Sequence, residues 1–395
     1  MNVIFLSYLV PLEEMNMYNG ISVAGNKMQY NIAKELGNLD KVNIKVLSLL
    51  PYACYPQDHK VFIKGKKYNF KEFDYQSISY INLPIIKQFS QIYFMYRALV
   101  KTLKILDKNT IILGFNMFPQ IGIPLKKIIK KNFKGICMLA DLPIDDISNR
   151  KGLSQILRSF FDKSTKKSIS QCKNFIVLSK FVSTDYLVDK RTLLIEGGVD
   201  ENDIPKENYR KIKNEKRIIV FSGALTEYNG IINLIKSMSF LKNSEIELHI
   251  YGDGELKKYV EKSQINDNRI KYLGRVSNDK MMEIQKRADI LINPRQINNP
   301  ISKYTFPSKT FEYFLSRTLV VSTKISSYPP EYLDNMIIAD DSPLGLANAV
   351  KRAINLTVDE ELKITNNAYN FVLNEKRWAK QAKKIYNFME CIINE

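Results

Sequence analysis

Short apolar runs, each followed by a stretch long enough to form a helix, set the tightest limit on what this chain can fold into. In the first half Val3–Leu9, Lys45–Leu50, Thr110–Phe115, Gly135–Leu139 and Phe175–Leu178 read as strands. Between them the apolar spacing predicts helices from about Asn26 to Leu36 and over Gln88–Leu106, Pro124–Asn132, Leu153–Ser170 and Lys180–Val188. The second half repeats the rhythm, with strands at Arg217–Gly223, Ile246–Tyr251, Ile270–Leu273, Ile290–Asn293 and Leu319–Ser322. A helix between successive strands makes those strands parallel, because a parallel pair needs a long crossover. Strands apolar on both sides need helices on both faces of their sheet. The pattern therefore predicts an α/β fold of two doubly wound parallel-sheet domains. Gly197-Gly198 and the charged linker 201–216 separate them, giving domains 1–198 and 199–374 and a final amphipathic helix within 375–395. Only the polar, aromatic stretch 52–80, with its hairpin-like runs, breaks the rhythm.

Composition narrows function by exclusion. A chain of 395 residues with 45% hydrophobic and 25% charged residues is globular and long enough for two ordinary cores. No apolar run reaches the roughly 20 residues that a spanning helix needs. Met1-Asn2-Val3-Ile4-Phe5-Leu6 has no basic start and no cleavage site, so it reads as a first strand and the expected location is the cytoplasm. Cys54, Cys137, Cys172 and Cys391 are far apart, which predicts free buried thiols and no zinc site. His59 and His249 are the only histidines, and His249 is expected in a strand core, so a Ser-His-Asp triad is poorly provided for. The net charge of +18 is uneven, with 29 Lys and Arg against 16 Asp and Glu in residues 1–200, and 30 against 25 in the remainder. An excess confined to one half implies an anionic partner there, membrane lipid or nucleic acid.

The stretch Ser302–Leu315 lies between two apolar strands and reads as a loop entering a helix. The fixed φ of Pro307 suits a first turn, and Thr305 or Ser308 can cap it. Phe311, Phe314 and Leu315 are spaced for a buried face, while Ser308 and Glu312, four apart, share another near the positive helix end. That end, with Lys309 beside it, suits a phosphate, and Glu312 can accept hydrogen bonds from sugar hydroxyls. A capped helix carrying a solvated glutamate satisfies the same pattern.

Several strands of the second half run into glycine turns: Phe221-Ser222-Gly223-Ala224, Tyr251-Gly252-Asp253-Gly254 and Leu273-Gly274-Arg275-Val276. Taken in series with Ser302–Leu315, they resemble the C-terminal half of GT-B glycosyltransferases of family 4, over 217–325. Agreement is looser at Ala24-Gly25, Asp141-Leu142-Pro143, Gly197–Asp200 and the last helix. The resemblance implies a GT-B fold, two Rossmann-like domains facing a central cleft, with the last helix crossing back to the first domain. It also implies a nucleotide-sugar donor, transfer with retained anomeric configuration, and no metal or other cofactor; no Asp-x-Asp clamp occurs. Glu312 matches the second position of the family's Glu-x7-Glu pattern, which binds the nucleotide ribose. Ser308, Gly223, Arg275 and Val276 are then expected to line phosphates and base, with Ala24-Gly25 closing over phosphates and acceptor.

Three positions depart from the family pattern. The first Glu falls on Tyr304, and the Arg and Lys that neutralise the diphosphate fall on Ala224 and Asn229. A leaving diphosphate needs its charge stabilised. Lys309, with the helix end and Lys303 or Arg275, is the expected replacement. Asp141 stands where the family often has His-Asp, with Ala140 at the His place. It can orient or deprotonate the acceptor hydroxyl, and a turn or cap role fits it equally. The same departures also fit an inactive or accessory protein of this fold.

Two basic amphipathic stretches complete the reading. Lys126, Lys127, Lys130, Lys131 and Lys134 interleave with Ile123, Leu125, Ile128, Ile129 and Phe133. Arg158, Lys163, Lys166 and Lys167 accompany Leu153, Ile156, Leu157, Phe160 and Phe161. Such helices can lie on an anionic membrane surface, or they can face a core and solvate their basic side. The first option fits peripheral binding on the inner face of the cell membrane and a polyprenyl-linked saccharide acceptor, as in capsule, exopolysaccharide or O-antigen assembly. A nucleic-acid partner is not expected, because no RNP-type strand, zinc spacing or helix-turn-helix signature occurs.

Overall fold

A computed structural model describes residues 1–18, 21–107, 109–142, 153–205, 216–242 and 245–395, with Leu153, Ser154 and Ile156 as backbone only. Pro143, linker residues 206–215 and the side chains of Leu153 and Ile156 lie outside the described residues. The chain divides into two compact units, Met1–Gly197 with Trp378–Glu395, and Gly198–Arg377.

The strands of the first unit are β1 (Asn2–Ser7), β2 (Asn43–Ser48), β3 (Phe62–Ile63), β4 (Lys67–Asn69), β5 (Asp74–Ser77), β6 (Tyr80–Ile81), β7 (Thr110–Phe115), β8 (Lys134–Leu139), β9 (Asn174–Val177) and β10 (Arg191–Leu194). Its helices are α1 (Val23–Gly37), α2 (Ile86–Leu103), α3 (Pro119–Ile129), α4 (Leu153–Gln171) and α5 (Lys180–Tyr186). Eight strands form one sheet in the order β10-β9-β8-β7-β1-β2-β5-β4. It is parallel except for the β4–β5 hairpin, and β3 pairs separately with β6. The 52–80 stretch thus supplies one parallel strand, β5, and one short antiparallel strand, β4, to the edge, while β3 pairs with β6 apart from that sheet. β1 and β7 are buried almost throughout, as covered central strands must be. Strand order reverses between them.

The second unit contains β11 (Arg217–Ser222), β12 (Ile246–Tyr251), β13 (Ile270–Gly274), β14 (Ile290–Asn293), β15 (Leu319–Thr323) and β16 (Ile337–Ala339). Its helices are α6 (Ile231–Ser237), α7 (Lys257–Asn266), α8 (Asn278–Arg287), α9 (Pro300–Tyr304), α10 (Lys309–Leu315), α11 (Pro330–Leu333), α12 (Pro343–Ile354) and α13 (Val358–Glu375). The wholly parallel sheet runs β13-β12-β11-β14-β15-β16. In chain order this is third, second, first, fourth, fifth, sixth, the doubly wound arrangement with its reversal between β11 and β14. Phe221, Leu248, Ile292 and Val321 from four strands meet Leu346 and Val350 of α12 in the core. Each such side chain contributes about 1.5–3 kcal/mol by leaving water. Two mostly parallel Rossmann-like sheets are the GT-B architecture.

The last helix, α14 (Trp378–Ile393), belongs to the first unit and packs on α1. Its buried residues Trp378, Ala382, Ile385, Met389 and Ile392 recur at helical spacing.

Two expectations need correction. His249 is not a core residue: β12 alternates, burying Leu248 and Ile250 while Glu247 and His249 point to the half-exposed side. There His249 Nε2 lies 3.0 Å from Glu247 Oε2. Cys137 and Cys172 are buried thiols, but Cys391 is exposed and Cys54 only half-buried. Among the described residues no helix is long and apolar enough to cross a membrane.

Candidate functional site

In a doubly wound sheet the crevice at the carboxyl ends of the strands, where their order reverses, is the place that takes a ligand. In the second unit that place lies between the ends of β11 and β14. β11 ends at Ser222, and the chain turns through Gly223, whose N–H donates to Tyr251 O at 3.0 Å. Gly252 packs so closely that a Cβ there would stand 1.8 Å from Gly223 O, and its φ of +135° also requires glycine. β14 ends at Asn293, followed by Pro294 and Arg295. Gly230, at φ +76°, opens α6 directly against Pro294, where a Cβ would be 1.7 Å from the Pro294 carbonyl. The two turns are thereby locked together, and Gln296 N–H donates to Tyr228 O at 3.0 Å.

Two cations face this place. Lys309, the first residue of α10, is half-buried and donates through Nζ to Ser222 Oγ at 3.3 Å. Burial pushes its pKa below the ordinary lysine value, with the Glu312 charge opposing the shift. Arg295 is also half-buried. Its guanidinium reaches Thr305 Oγ1 at 3.4 Å and lies 5.8 Å from the Tyr228 ring centre. Burial lowers its pKa, opposed by Tyr328, Tyr228 and Tyr313. Neither cation has a carboxylate ion-pair partner among the described residues. A cation held away from water without an ion-pair contact favours an anionic ligand, which restores the lost solvation.

A buried polar network fixes both. Tyr313 Oη lies 3.2 Å from Ser222 Oγ, and burial pushes its pKa up to about 12. Asn293 Nδ2 donates to Tyr328 Oη at 2.9 Å, which pairs with Thr310 Oγ1 at 2.8 Å. Thr323 Oγ1 donates to Arg295 O at 2.7 Å, anchoring the backbone that presents the guanidinium.

The predicted residues sort unevenly around this frame. Glu312 is exposed one turn after Lys309, on the same side of α10, and its carboxylate has no hydrogen-bond partner among the described residues. Ser308 precedes α10 but makes no capping hydrogen bond. Ser302–Tyr304 is not a loop: Asn299 caps and Pro300 opens the short helix α9, and Thr305 Oγ1 donates back to Ile301 O at 2.7 Å. Tyr304 ends α9, with the Lys303 ammonium 5.3 Å from its ring centre. α10 is one helix of seven residues, so its dipole is short and the side-chain cation matters more than the helix end. Arg275 and Val276 follow the edge strand β13. With β12 between, that strand end is about 10 Å from β11. Ala224 and Asn229 supply no charge; Asn229 Nδ2 instead closes the turn onto Ala224 O at 2.9 Å. Arg295 escaped the sequence reading, although an Asn-Pro-Arg directly after an apolar strand was a usable signal.

The first unit has a comparable place between the ends of β1 and β7. Asn116, in the left-handed conformation at φ 59°, follows β7 and clasps the end of β8. Its Oδ1 accepts from the N–H groups of Ala140 and Asp141 at 2.9 and 3.0 Å, and its Nδ2 donates to Asp141 Oδ2 at 3.0 Å. Asp141 is thus held by a neighbour that the sequence reading did not single out. Tyr8 follows β1; its hydroxyl is buried with no hydrogen-bond partner among the described residues, and burial raises its pKa. It borders a cavity of about 810 Å³ shared with Gln88, Gln91, Gln120 and Phe161. Ala24 and Gly25 sit in the first turn of α1, where Gly25 N–H donates to Ser22 Oγ at 3.2 Å. Asn26 and Gln29 behind them bond Val10 and Tyr8 N–H groups, both at 2.8 Å, so this turn is fixed to the end of β1. Among the described residues no group of three or more His, Cys, Asp and Glu could hold a metal ion.

Residues 216–355 match the family described as Glycosyl transferases group 1. No curated protein matches the chain by sequence. Solved structures of similar fold cover nearly the whole chain. A glycosyltransferase from Rickettsia africae has 16% identity and a TM-score of 0.67, covering 99% of this chain and 98% of its own. Anabaena HepE in complex with UDP has 14% identity and a TM-score of 0.63, covering 99% and 100%. The E. coli trehalose-6-phosphate protein bound with UDP-2-fluoro glucose has 11% identity and a TM-score of 0.67, covering 100% and 99%. Fold and family match together support a glycosyltransferase function.

Proposed function

We propose that this protein is a retaining GT-B glycosyltransferase of the family 4 type. It moves a sugar from a nucleotide-sugar donor to a saccharide carried on a polyprenyl lipid, in assembly of a bacterial surface polysaccharide such as capsule, exopolysaccharide or O-antigen. It works peripherally on the anionic inner face of the cell membrane. The observation that carries the donor reading is the pair of half-buried cations, Lys309 and Arg295, which have no carboxylate ion-pair partner among the described residues and lie beside the reversal of the second sheet.

Breaking the sugar–phosphate bond puts negative charge on the departing diphosphate, and cations fixed before the reaction stabilise that charge without reorganising. Lys309 and Arg295 do this work in place of the residues that Ala224 and Asn229 replace. Gly223 lets the backbone approach the phosphates, Ser308 adds a hydroxyl, and Glu312 accepts from the ribose hydroxyls. Arg275 and Val276, about 10 Å aside, suit the base end of the nucleotide, and Tyr304 faces the same ligand. On the first unit Asp141, held by Asn116, orients the acceptor hydroxyl and takes its proton. Ala24 and Gly25 serve the acceptor from that unit. The nucleotide-bearing structures of similar fold support this donor class.

The test is transfer itself. The full chain, given labelled UDP-, GDP- and dTDP-sugars in turn with a polyprenyl-linked saccharide, is expected to label the lipid fraction from one donor, with the anomeric configuration kept. Labelling from none of them, across acceptors of varied chain length, would count against the proposal and favour an inactive or accessory protein.

A further inference from the structure

Of the basic helices, α3 buries Ile121, Leu125 and Ile128 and half-buries Ile123 and Ile129, leaving no large apolar side chain fully exposed while Lys127 faces out. By contrast, α2 leaves a run of apolar side chains bare. Its inner side buries Met95, Leu99 and Leu103. Its outer side exposes Ile86, Phe89 and Tyr93, 46%, 44% and 53% accessible. Continuing along the same stripe come Arg97, Lys101 and Lys104, spaced three or four apart as one helix face requires. The Phe89 ring lies 5.5 Å from Phe161, which lies 5.5 Å from Phe160 on α4, so the apolar patch continues onto a second helix. Phe160 is 53% accessible, and Lys163 is exposed one turn on. Ile85, at the head of α2, holds an exposed β-branched side chain at φ 65°, an unusual conformation to keep for solvent.

These charges meet no carboxylate among the described residues. Beside the stripe runs a groove of about 670 Å³, lined by Lys67, Tyr93, Arg97, Lys101 and Lys104 and, among the described residues, by no carboxylate. Arg97 bonds Tyr93 Oη at 3.1 Å, and none of these cations is ion-paired among the described residues. A second copy of the chain is a poor occupant, because a two-fold contact would set these cations against one another. A surface offering apolar depth and anionic phosphates together matches both halves of the stripe.

We propose that α2, with the adjoining turn of α4, is a docking face for an anionic bilayer. Ile86, Phe89, Tyr93 and Phe160 enter the interfacial layer while Arg97, Lys101, Lys104 and Lys67 meet lipid phosphates. The face deepens the membrane side of the function proposed above and is independent of the donor site.

The test is co-sedimentation of the full chain with vesicles of phosphatidylcholine, with and without phosphatidylglycerol, none containing a polyprenyl lipid. Binding is expected only with phosphatidylglycerol, weakening as salt rises. Replacing Arg97, Lys101 and Lys104 by Gln is expected to lower partition about a hundredfold, near fivefold for each charge. Phe89→Ser with Phe160→Ser is expected to lower it about tenfold, and Lys126→Gln with Lys127→Gln on α3 to leave it within twofold. A thermal shift with nucleotide shows that each variant is folded. The face is refuted if anionic vesicles do not bind the parent, if the α3 variant loses as much as the α2 variant, or if an oligonucleotide binds where vesicles do not. Sugar transfer to a water-soluble acceptor that survives such a failure would leave the transferase proposal standing; loss of transfer with vesicle binding intact would do the reverse.

Discussion

Replacing Lys309 by Met keeps the apolar stem but removes the ammonium, and the structure assigns opposite signs to its effects on folding and on binding. In the folded protein the charge is held away from water, and the Glu312 charge opposes the resulting shift. Its bond to Ser222 Oγ is long, at 3.3 Å, so losing it costs at most about 1 kcal/mol. Relief of the desolvated charge offsets that loss, and Tm is expected to stay within about 4 °C of the parent. Because the folded-state pKa lies below the ordinary lysine value, the unfolded chain holds more protons between the two. Stability should therefore rise with pH across that alkaline window in the parent, and Lys309→Met should flatten the rise. Binding behaves otherwise. A charge-assisted contact to a phosphate contributes about 1.5–3 kcal/mol, so affinity for a nucleoside diphosphate should fall about 10- to 150-fold. Arg295→Met should fall similarly, and the double variant need not be additive, since both groups touch one ligand. Calorimetric titration alongside thermal unfolding reads both quantities. Affinity within twofold of the parent, with Tm lowered by more than about 4 °C, would show these cations to be structural.

Glu312→Ala should leave Tm unchanged, since the side chain is exposed, yet weaken nucleotide binding about tenfold; equal loss with a 2′-deoxy nucleotide would contradict a ribose contact. Asn116→Ala removes three hydrogen bonds and places alanine at φ 59°, so chemical denaturation should show a loss of about 2–4 kcal/mol. Asn116→Gly should recover part of that stability but not transfer activity, because Asp141 remains unclasped. Glu14 should set an acid limit. Burial raises its pKa, but hydrogen bonds from Lys66, Tyr68 and Tyr18 and the Lys66 charge outweigh this and hold it below the ordinary value. Its contribution is full above the unfolded glutamate pKa and lost as pH falls through the folded one. Glu14→Gln should thus be less stable at neutral pH and flatter in acid, by thermal unfolding against pH.

Strand–helix alternation was readable because apolar runs buried on both faces have few alternatives, and Val3–Ser7 and Ile290–Asn293 illustrate this. α9 was not read as a helix, although Asn299 and Pro300 form a recognisable start, because five residues carry too little periodicity. Burial of a cation depends on which loops close over it, so Arg295 and Lys309 looked alike to any other surface residue in the sequence. Helical spacing likewise shows that a face is apolar but not whether a neighbour covers it. The spacing therefore marks α3 as an interfacial candidate and does not distinguish α2, whose Phe89 and Tyr93 stay bare. Asn116 follows the same rule: only the left-handed turn brings its amide onto Asp141.

Thermal unfolding of the intact protein with saturating UDP, GDP or dTDP tests the donor site most directly. A nucleotide at 100 times its Kd stabilises by about 2.7 kcal/mol, and one of the three is expected to do so in the parent but much more weakly in the Lys309→Met, Arg295→Met double variant. No response to any of them in the parent, or a response unchanged in the double variant, would contradict a nucleotide-sugar site at the ends of β11 and β14.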